Sequence, residues 1–406
     1  MNLHTSQPYW LLKNGLLHTY PLLREDVKIE YLVMGGGITG ALVAWYLAEA
    51  GKSVILVDRR HIGMGSTCAS TALLQYEIDT PLHKLTEHVG EKDAARSYWL
   101  CIEAINKIED ICKNLSGRLE FERKPSLYYA SRKADVEIID LEHAIRRKHG
   151  IRVERWSTEE VAKHFPFAAP AALYSPHDGA QVDAYALTHA LLQDAIRKGA
   201  QIFDKTEVTE IEHHARDVVA QTAYGPKIHA KKLVIASGYE SGNYLKERNL
   251  IRLHSTYVVT SEPLDRETLW HENALIWETA RPYLYLRTTG DRRVLVGGRD
   301  EPFYSPGKRD RLLTRKTREL LRDVEKKFPA LTPLRADFNW AGTFAETKDG
   351  LPYIGSVPEH PHTIFALGFG GNGITFSQVA AEIIRDGAIG HKNHDAHIFS
   401  FDRKSE

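Results

Sequence analysis

The chain has 406 residues carrying 53 Lys+Arg and 53 Asp+Glu, a formal charge of zero, and at roughly 100–200 residues per domain this length predicts two domains or one interleaved unit. Hydrophobic residues at 43 % and charged residues at 26 % are globular composition, which excludes a wholly disordered chain. Zero net charge argues against nucleic acid as a partner, and the isolated cluster Arg146-Arg147-Lys148 reads as a solvated helix face. Three cysteines (Cys68, Cys101, Cys112) provide neither a disulfide framework nor a CxxC zinc pair, as expected in a reducing compartment. Residues 1–20 lack the basic start, apolar core and small-residue cleavage site of a signal peptide. The uncharged stretch 31–48 approaches the length of a membrane span, but its glycines divide it into strand, turn and helix. A soluble cytoplasmic protein with no transmembrane segment is expected.

In chain order, residues 29–34 (IEYLVM) form a β-branched and aromatic run ending at a glycine cluster, which predicts a buried strand. An alanine-rich helix over 38–50 follows, with Gly51 as its left-handed stop, and then a second buried strand over 53–57. Amphipathic helices are expected over 91–115 and 134–149, around a strand at 126–130. Ser157 with Glu160 makes a capping box, and Asp183 can cap a helix running to Lys198 with Gly199 as its stop. Strands are predicted at 201–203, 208–212, 218–222 and 233–236, and an antiparallel set at 251–260, 283–287 and 293–297. A long surface helix over 309–327, a strand over 363–367, a glycine turn and a helix over 374–386 close the chain.

The first chemical signal is Gly35-Gly36-Gly37-Ile38-Thr39-Gly40, a GxGxxG between a predicted strand and a predicted helix, with Asp58 ending the next strand 18 residues after Gly40. That context is the dinucleotide fingerprint. Gly35 permits the tight turn, Gly37 lets the backbone approach a pyrophosphate, and Gly40 lets the helix pack close to the strand. The helix N-terminus supplies free N–H groups and partial positive charge. Asp58 accepts from ribose hydroxyls, which disfavours NADP and leaves FAD or NAD. Two downstream features favour FAD. Val234-Ile235-Ala236-Ser237-Gly238 ends a second apolar strand in small residues. Gly368-Phe369-Gly370-Gly371-Asn372-Gly373-Ile374 starts a helix whose N-terminus suits the negative charge of a reduced flavin.

These elements, with Gly63-Met64-Gly65-Ser66-Thr67, Val182-Asp183, Trp340-Ala341-Gly342 and Lys348-Asp349-Gly350-Leu351-Pro352-Tyr353-Ile354-Gly355, occur in the order of the D-amino-acid-oxidase-like FAD oxidoreductases. The chain resembles that family over about residues 29–386. The family includes glycine and sarcosine oxidases, D-amino-acid dehydrogenases and γ-glutamylputrescine oxidase. Pro8-Tyr9-Trp10 and Tyr20-Pro21-Leu22 look most like the last branch. The resemblance implies that Ile38 and Thr39 lie at the pyrophosphate, Asp58 and Arg59 at the ribose and adenine edge, and Ser66 and Thr67 at the phosphates. It also implies Thr71, Ala72 and Leu73 near the isoalloxazine, Val208 and the strand end Ala236 and Gly238 along the dinucleotide, and Phe369, Gly370, Gly371, Asn372, Gly373, Ile374 and Thr375 at the pyrimidine end. Its fold is α/β: a doubly wound, Rossmann-like FAD-binding domain interleaved with an α+β substrate domain carrying an antiparallel sheet. The expected boundaries are 28–90, 155–245 and 340–390 for the first, 91–154 and 246–339 for the second, with 1–27 an extension and 391–406 a tail.

The family's arginine clamp for a substrate carboxylate is missing. Phe344 and Gly371 stand where relatives carry arginine, which weakens the case for a small α-amino acid. Arg287 or Arg299 could substitute from the sheet, and Tyr283 falls where relatives place a substrate-facing tyrosine. A histidine that attaches flavin in one branch aligns with Ala69, so Cys68 reads as a buried small hydrophobe. His213, His214 and His254 read as solvated or strand-edge residues rather than metal ligands, and no metal is expected. The leading reading is an FAD-dependent oxidoreductase that moves hydride from a carbon bearing nitrogen in a small-molecule substrate to flavin N5. Reoxidation falls to oxygen or an electron acceptor. An FAD dehydrogenase of 2-hydroxy acids or alcohols, with His254 as base, is the alternative, and a flavin-bearing subunit without catalysis is a third.

Overall fold

The computed structural model describes residues 2–245, 249–265 and 269–403; positions 246–248 and 266–268 of the expected substrate part, residue 1 and the tail end 404–406 lie outside the described residues. Two sheets organise the chain. In the first, the strand Val27–Met34 sits between Val54–Val57 and Lys227–Ile235, all parallel, and Gln201–Phe203 and His360–Leu367 extend the parallel set on either side. Tyr353–Val357 adds an antiparallel edge, and the hairpin Val208–His213 with Val218–Thr222 pairs onto Lys227–Ile235. Val54–Val57 is buried at every position, as expected of a parallel strand covered on both faces. Helix Ile38–Glu49 is buried on nearly all sides, which explains why its sequence imitates a membrane span. Among the described residues no helix is long and apolar enough to cross a membrane.

The second sheet runs Ala336–Thr347, Ile251–Ser261, Val294–Pro302, Leu284–Thr288, Leu275–Glu278, Glu122–Tyr129, Ala171–Gln181 and Leu73–Leu74, with Glu154–Ser157 beside Ala171–Gln181. All its pairings are antiparallel except Leu275–Glu278 with Glu122–Tyr129. The period-2 alternation of strands gives this sheet two functions. Tyr257, Ile276, Leu284, Leu286 and Ala341 enter a core shared with helix Pro306–Lys327. Their neighbours Thr256, Trp277, Tyr285 and Gly342 face the opposite way, into a cavity against the first sheet.

Local signals act as their chemistry dictates. Ser157 and Glu160 form a capping box, Asp183 accepts from the N–H of Ala186, and Gly51 and Gly199 take positive φ at helix ends. Three expectations need correction. The strands Glu154–Ser157 and Ala171–Gln181, and the outer half of Ala336–Thr347, pair within the second sheet, so a boundary at 155 or 340 does not follow the sheets. The first 27 residues are not an appendage. Trp10 is fully buried and donates to Ser70 O at 2.7 Å, while the backbone at Leu3 and Thr5 pairs with residues 341–343. Arg146 is not solvated either. It is fully buried, paired with Glu142 at 2.7 Å and 3.6 Å from Glu77, because the helix Val136–Lys148 turns that face inward, whereas Arg147 and Lys148 stay exposed.

Candidate active site

The groove opens where Val27–Met34 and Lys227–Ile235 end side by side and the chain departs in different directions, the place where doubly wound sheets bind ligands. The glycines are required by contact. A Cβ on Gly35, at φ +120°, would meet Ala236 O at 2.4 Å, and one on Gly40 would meet Gly35 O at 1.8 Å. Gly37 precedes helix Ile38–Glu49, whose first N–H, on Ile38, is held by Thr67 Oγ1 at 3.0 Å. Asp58 accepts from the N–H of Gly36 and of Arg60, each at 2.7 Å, and burial pushes its carboxyl up. Arg59 pairs with Glu240 at the rim.

Of the expected cofactor residues, Gly35, Gly37, Ile38, Thr39, Asp58, Arg59, Ser66, Thr67, Val208, Ala236, Gly238 and Phe369 line this groove, and Gly373 and Ile374 line both it and the chamber beyond. The chamber takes in Thr71, Ala72, Leu73, Gly370, Gly371 and Asn372. Gly40 acts by packing, as its spacing predicted. Thr375 is the exception. Its hydroxyl turns back to Asn372 O at 3.0 Å and its side chain is buried away from both cavities. Leu3, Ser66, Ser70 and Tyr239 line both the groove and the chamber, so the two adjoin. A groove with a chamber adjoining it suits a dinucleotide plus a substrate.

Two observations test whether a flavin dinucleotide fits. Ser66 Oγ, at the junction, is buried without a hydrogen-bond partner. Helix Gly373–Ala388 begins at the chamber with no side-chain cap, because Asn372 instead donates to Gln75 O and Glu77 O at 3.0 and 2.8 Å. Unfilled donors and a helix dipole at that place suit an anionic ring edge. The residues fit the group.

The substrate-side expectations divide. Tyr283 and Phe344 face the chamber. The Tyr283 hydroxyl donates to Asp79 Oδ1 at 2.9 Å, and burial holds its pKa well above the ordinary range. Asp79 Oδ2 in turn accepts from the N–H of Gly371 at 2.6 Å, and a side chain on Gly371 would run into that carboxylate at 2.8 Å. Arg287 does not reach substrate. It is fully buried, and its Nη1 donates to Thr71 O (3.0 Å), Ala72 O (2.8 Å) and Val182 O (3.3 Å). It braces a turn in which Ala72 holds φ +54°, a conformation costing about 1–3 kcal/mol in a non-glycine residue. Arg299 is spent on a fork with Asp323 at 2.6–2.9 Å. His254 stacks on Phe344 at 5.5 Å between ring centres and lies 3.3 Å from Glu346, at the outer mouth rather than in the chamber. Cys68 is fully buried, with burial pushing its thiol up to about 12. No local motif pointed to Asp79, Asp300, Trp277 or Tyr285. Each is single in sequence and reaches the chamber through strand pairing or a contact far along the chain.

The fold, with a groove at the sheet's switch point and a chamber adjoining it, is that of a flavin-dependent oxidoreductase. The profile described as "FAD dependent oxidoreductase" (DAO) matches residues 30–386, and the chain belongs to that family. It is 28 % identical over 384 residues to the glycine oxidase of Bacillus licheniformis, covering 93 % of this chain and 98 % of that one. It is 24 % identical over 400 residues to the gamma-glutamylputrescine oxidoreductase of Escherichia coli K12, covering 95 % and 89 %. Among solved structures, the glycine oxidase of Geobacillus kaustophilus superposes with a TM-score of 0.77 at 21 % identity, covering 93 % of this chain and 99 % of that one.

Proposed function

We propose that the chain oxidises a carbon–nitrogen bond of a small-molecule substrate in the chamber, with FAD held along the groove by the residues named above. Bound FAD supplies the hydride acceptor at N5 and is reoxidised by oxygen or by an electron acceptor. Gly35, Gly37 and the helix start at Ile38 receive the pyrophosphate, Asp58 the adenosine ribose, and the helix start at Gly373 the pyrimidine edge. The strained turn at Ala72, braced by Arg287, presents Thr71 and Leu73 to the chamber. Tyr283 and Asp79 hold one wall in place and exclude water from it.

The observation that carries the choice of C–N over C–O is the position of His254. Oxidation of an alcohol calls for a base to take the hydroxyl proton, whereas a neutral amine loses hydride without one. The histidine that could have served lies behind Phe344, and no histidine lines the chamber among the described residues. The names of the relatives point the same way. The test is anaerobic mixing of the yellow protein with an amine panel and a 2-hydroxy-acid panel. Bleaching by amines supports the reading, and bleaching by hydroxy acids alone refutes it. Peroxide formation in air then separates oxygen from another acceptor.

A further inference from the structure

The chamber and its mouth share Asp79, Asp300, Tyr283 and Phe344, and the mouth adds Glu346 and Glu301. The other carboxylates have partners: Glu77, deep in the chamber, accepts from the Ser126 hydroxyl and lies 3.6 Å from Arg146, Asp79 takes the Tyr283 hydroxyl and the Gly371 N–H, Glu346 lies against His254, and Glu301 pairs with Lys316 at 2.7 Å. Asp300 differs. Its Oδ1 is buried without a hydrogen-bond partner, the Thr256 hydroxyl bonds the carboxyl, and among the described residues no cation pairs with it, whereas Glu77 has Arg146. Among the described residues no lysine or arginine lines the chamber. Of the two arginine or lysine residues at the mouth, Arg281 is engaged by the carbonyl oxygens of Glu278, Ala280 and Asp79 and lies over the Tyr283 ring at 4.9 Å, and Lys348 stands exposed at the rim. Around Asp300 stand aromatic faces. Trp277 and Tyr283 lie 6.3 Å apart edge to face, and Tyr283 and Tyr285 lie 5.7 Å apart. A buried carboxylate without a counter-charge, among rings that attract cations, calls for a cationic ligand.

We propose that the substrate is an alkylamine bearing a second ammonium and no neighbouring carboxylate, the diamine and polyamine class, with Asp300 receiving the nitrogen that is not oxidised. This rests on the C–N reading above. The reacting nitrogen has to be neutral to release hydride, so the lasting positive charge that Asp300 lacks comes from the other end of the molecule. Phe344 and Gly371, in place of a carboxylate clamp, fit the same substrate. The further carboxylates toward the mouth would draw in such a cation from solution.

The test uses holoenzyme, wild type and Asp300→Asn, with α,ω-diaminoalkanes, n-alkylamines and ω-amino acids of matched length, plus glycine and D-alanine. Anaerobic flavin reduction gives a second-order rate for each. Calorimetry of the diamine with dithionite-reduced holoenzyme, which cannot oxidise it, gives affinity without turnover. The diamine is expected to exceed its matched monoamine by on the order of tenfold or more, the scale of one charge-assisted hydrogen bond, with the ω-amino acid slowest. Asp300→Asn should erase that preference and weaken diamine binding to the reduced enzyme by a similar factor while the flavin spectrum stays intact. A best rate with an α- or ω-amino acid, or a diamine preference that survives Asp300→Asn, overturns the proposal while leaving the C–N reading in place. Failure of every amine to bleach the flavin overturns both.

Discussion

Asp300 allows the electrostatics of the chamber to be weighed with no substrate present. Burial raises its carboxyl from 3.8 to about 7, the Thr256 hydroxyl opposes the shift, Asp79 and Glu346 add to it, and Lys316 opposes it weakly. The folded pKa lies above the unfolded one, so between those values the native state binds the extra proton and stability falls as pH rises. At about 1.36 kcal/mol per unit, the carboxylate costs roughly 1.5 kcal/mol at pH 5 and about 4 kcal/mol at pH 8, where the effect has levelled off. Asp300→Asn keeps the shape and cannot ionise. Its stability relative to wild type should therefore improve by roughly 2.5 kcal/mol between about pH 5 and about pH 8. Guanidinium unfolding of both holoenzymes at the two pH values, at one ionic strength, measures that difference. A difference that does not change with pH, or that shrinks toward pH 8, would refute the placement of Asp300 as an uncompensated buried acid.

Other perturbations probe the rest of the site. Gly40→Ala drives a Cβ to 1.8 Å from Gly35 O, so the phosphate turn has to move, at a cost of about 1–3 kcal/mol or more; the protein should purify colourless or bleach on dialysis. Gly387→Ala, in helix Gly373–Ala388 with open space at the Cβ, is the opposite case and should raise thermal stability by about 0.4–1 kcal/mol with flavin retained. Arg287→Met strips four carbonyl oxygens of their donor, two of them at the strained turn of Thr71 and Ala72, and should cost about 2–4 kcal/mol, with faster flavin loss on dilution. Burial holds that arginine's pKa down to about 10, so Arg287→Lys, which has a lower intrinsic pKa and no fork, should not restore wild-type stability. His254→Ala removes a ring from the mouth alone. It should leave the limiting rate of flavin reduction within about twofold, whereas a general base would lose on the order of 10²-fold or more.

The half of the site proposed for the dinucleotide was legible in the sequence because its geometry is local. The turn, the helix start and the acid at Asp58 sit within one strand–helix–strand unit, and the glycines are fixed by contacts that no other residue permits, as the 1.8 Å approach at Gly40 shows. The substrate half was not legible in that way. Asp79 meets Gly371 across 292 positions and Tyr283 across 204, and His254 meets Phe344 through the register of two antiparallel strands. No periodicity predicts such meetings. Arginine was misjudged for a related reason. An arginine in a strand pattern reads the same whether it ends on a ligand, on a carboxylate as Arg299 does, or on backbone carbonyl oxygens as Arg287 does. The buried Arg146 shows the same ambiguity on a helix, since its neighbours in sequence are solvated.

The two kinds of buried charge differ in what completes them. Arg146 is paired inside the fold with Glu142 and Glu77, and Arg287 is held by carbonyl oxygens, so both belong to the scaffold. Asp300 has no such partner, although Lys316 and Arg281 lie on neighbouring elements and are engaged elsewhere. A fold that pairs Arg146 with Glu142 and Glu77 yet leaves Asp300 without a cation, in the chamber that adjoins the groove, accepts a stability penalty that a bound cation would offset. An acid left in that state is where a ligand is expected to complete the site. Titrating wild type with a diamine should therefore raise its unfolding midpoint more at about pH 8 than at about pH 5, and Asp300→Asn should lose that pH dependence.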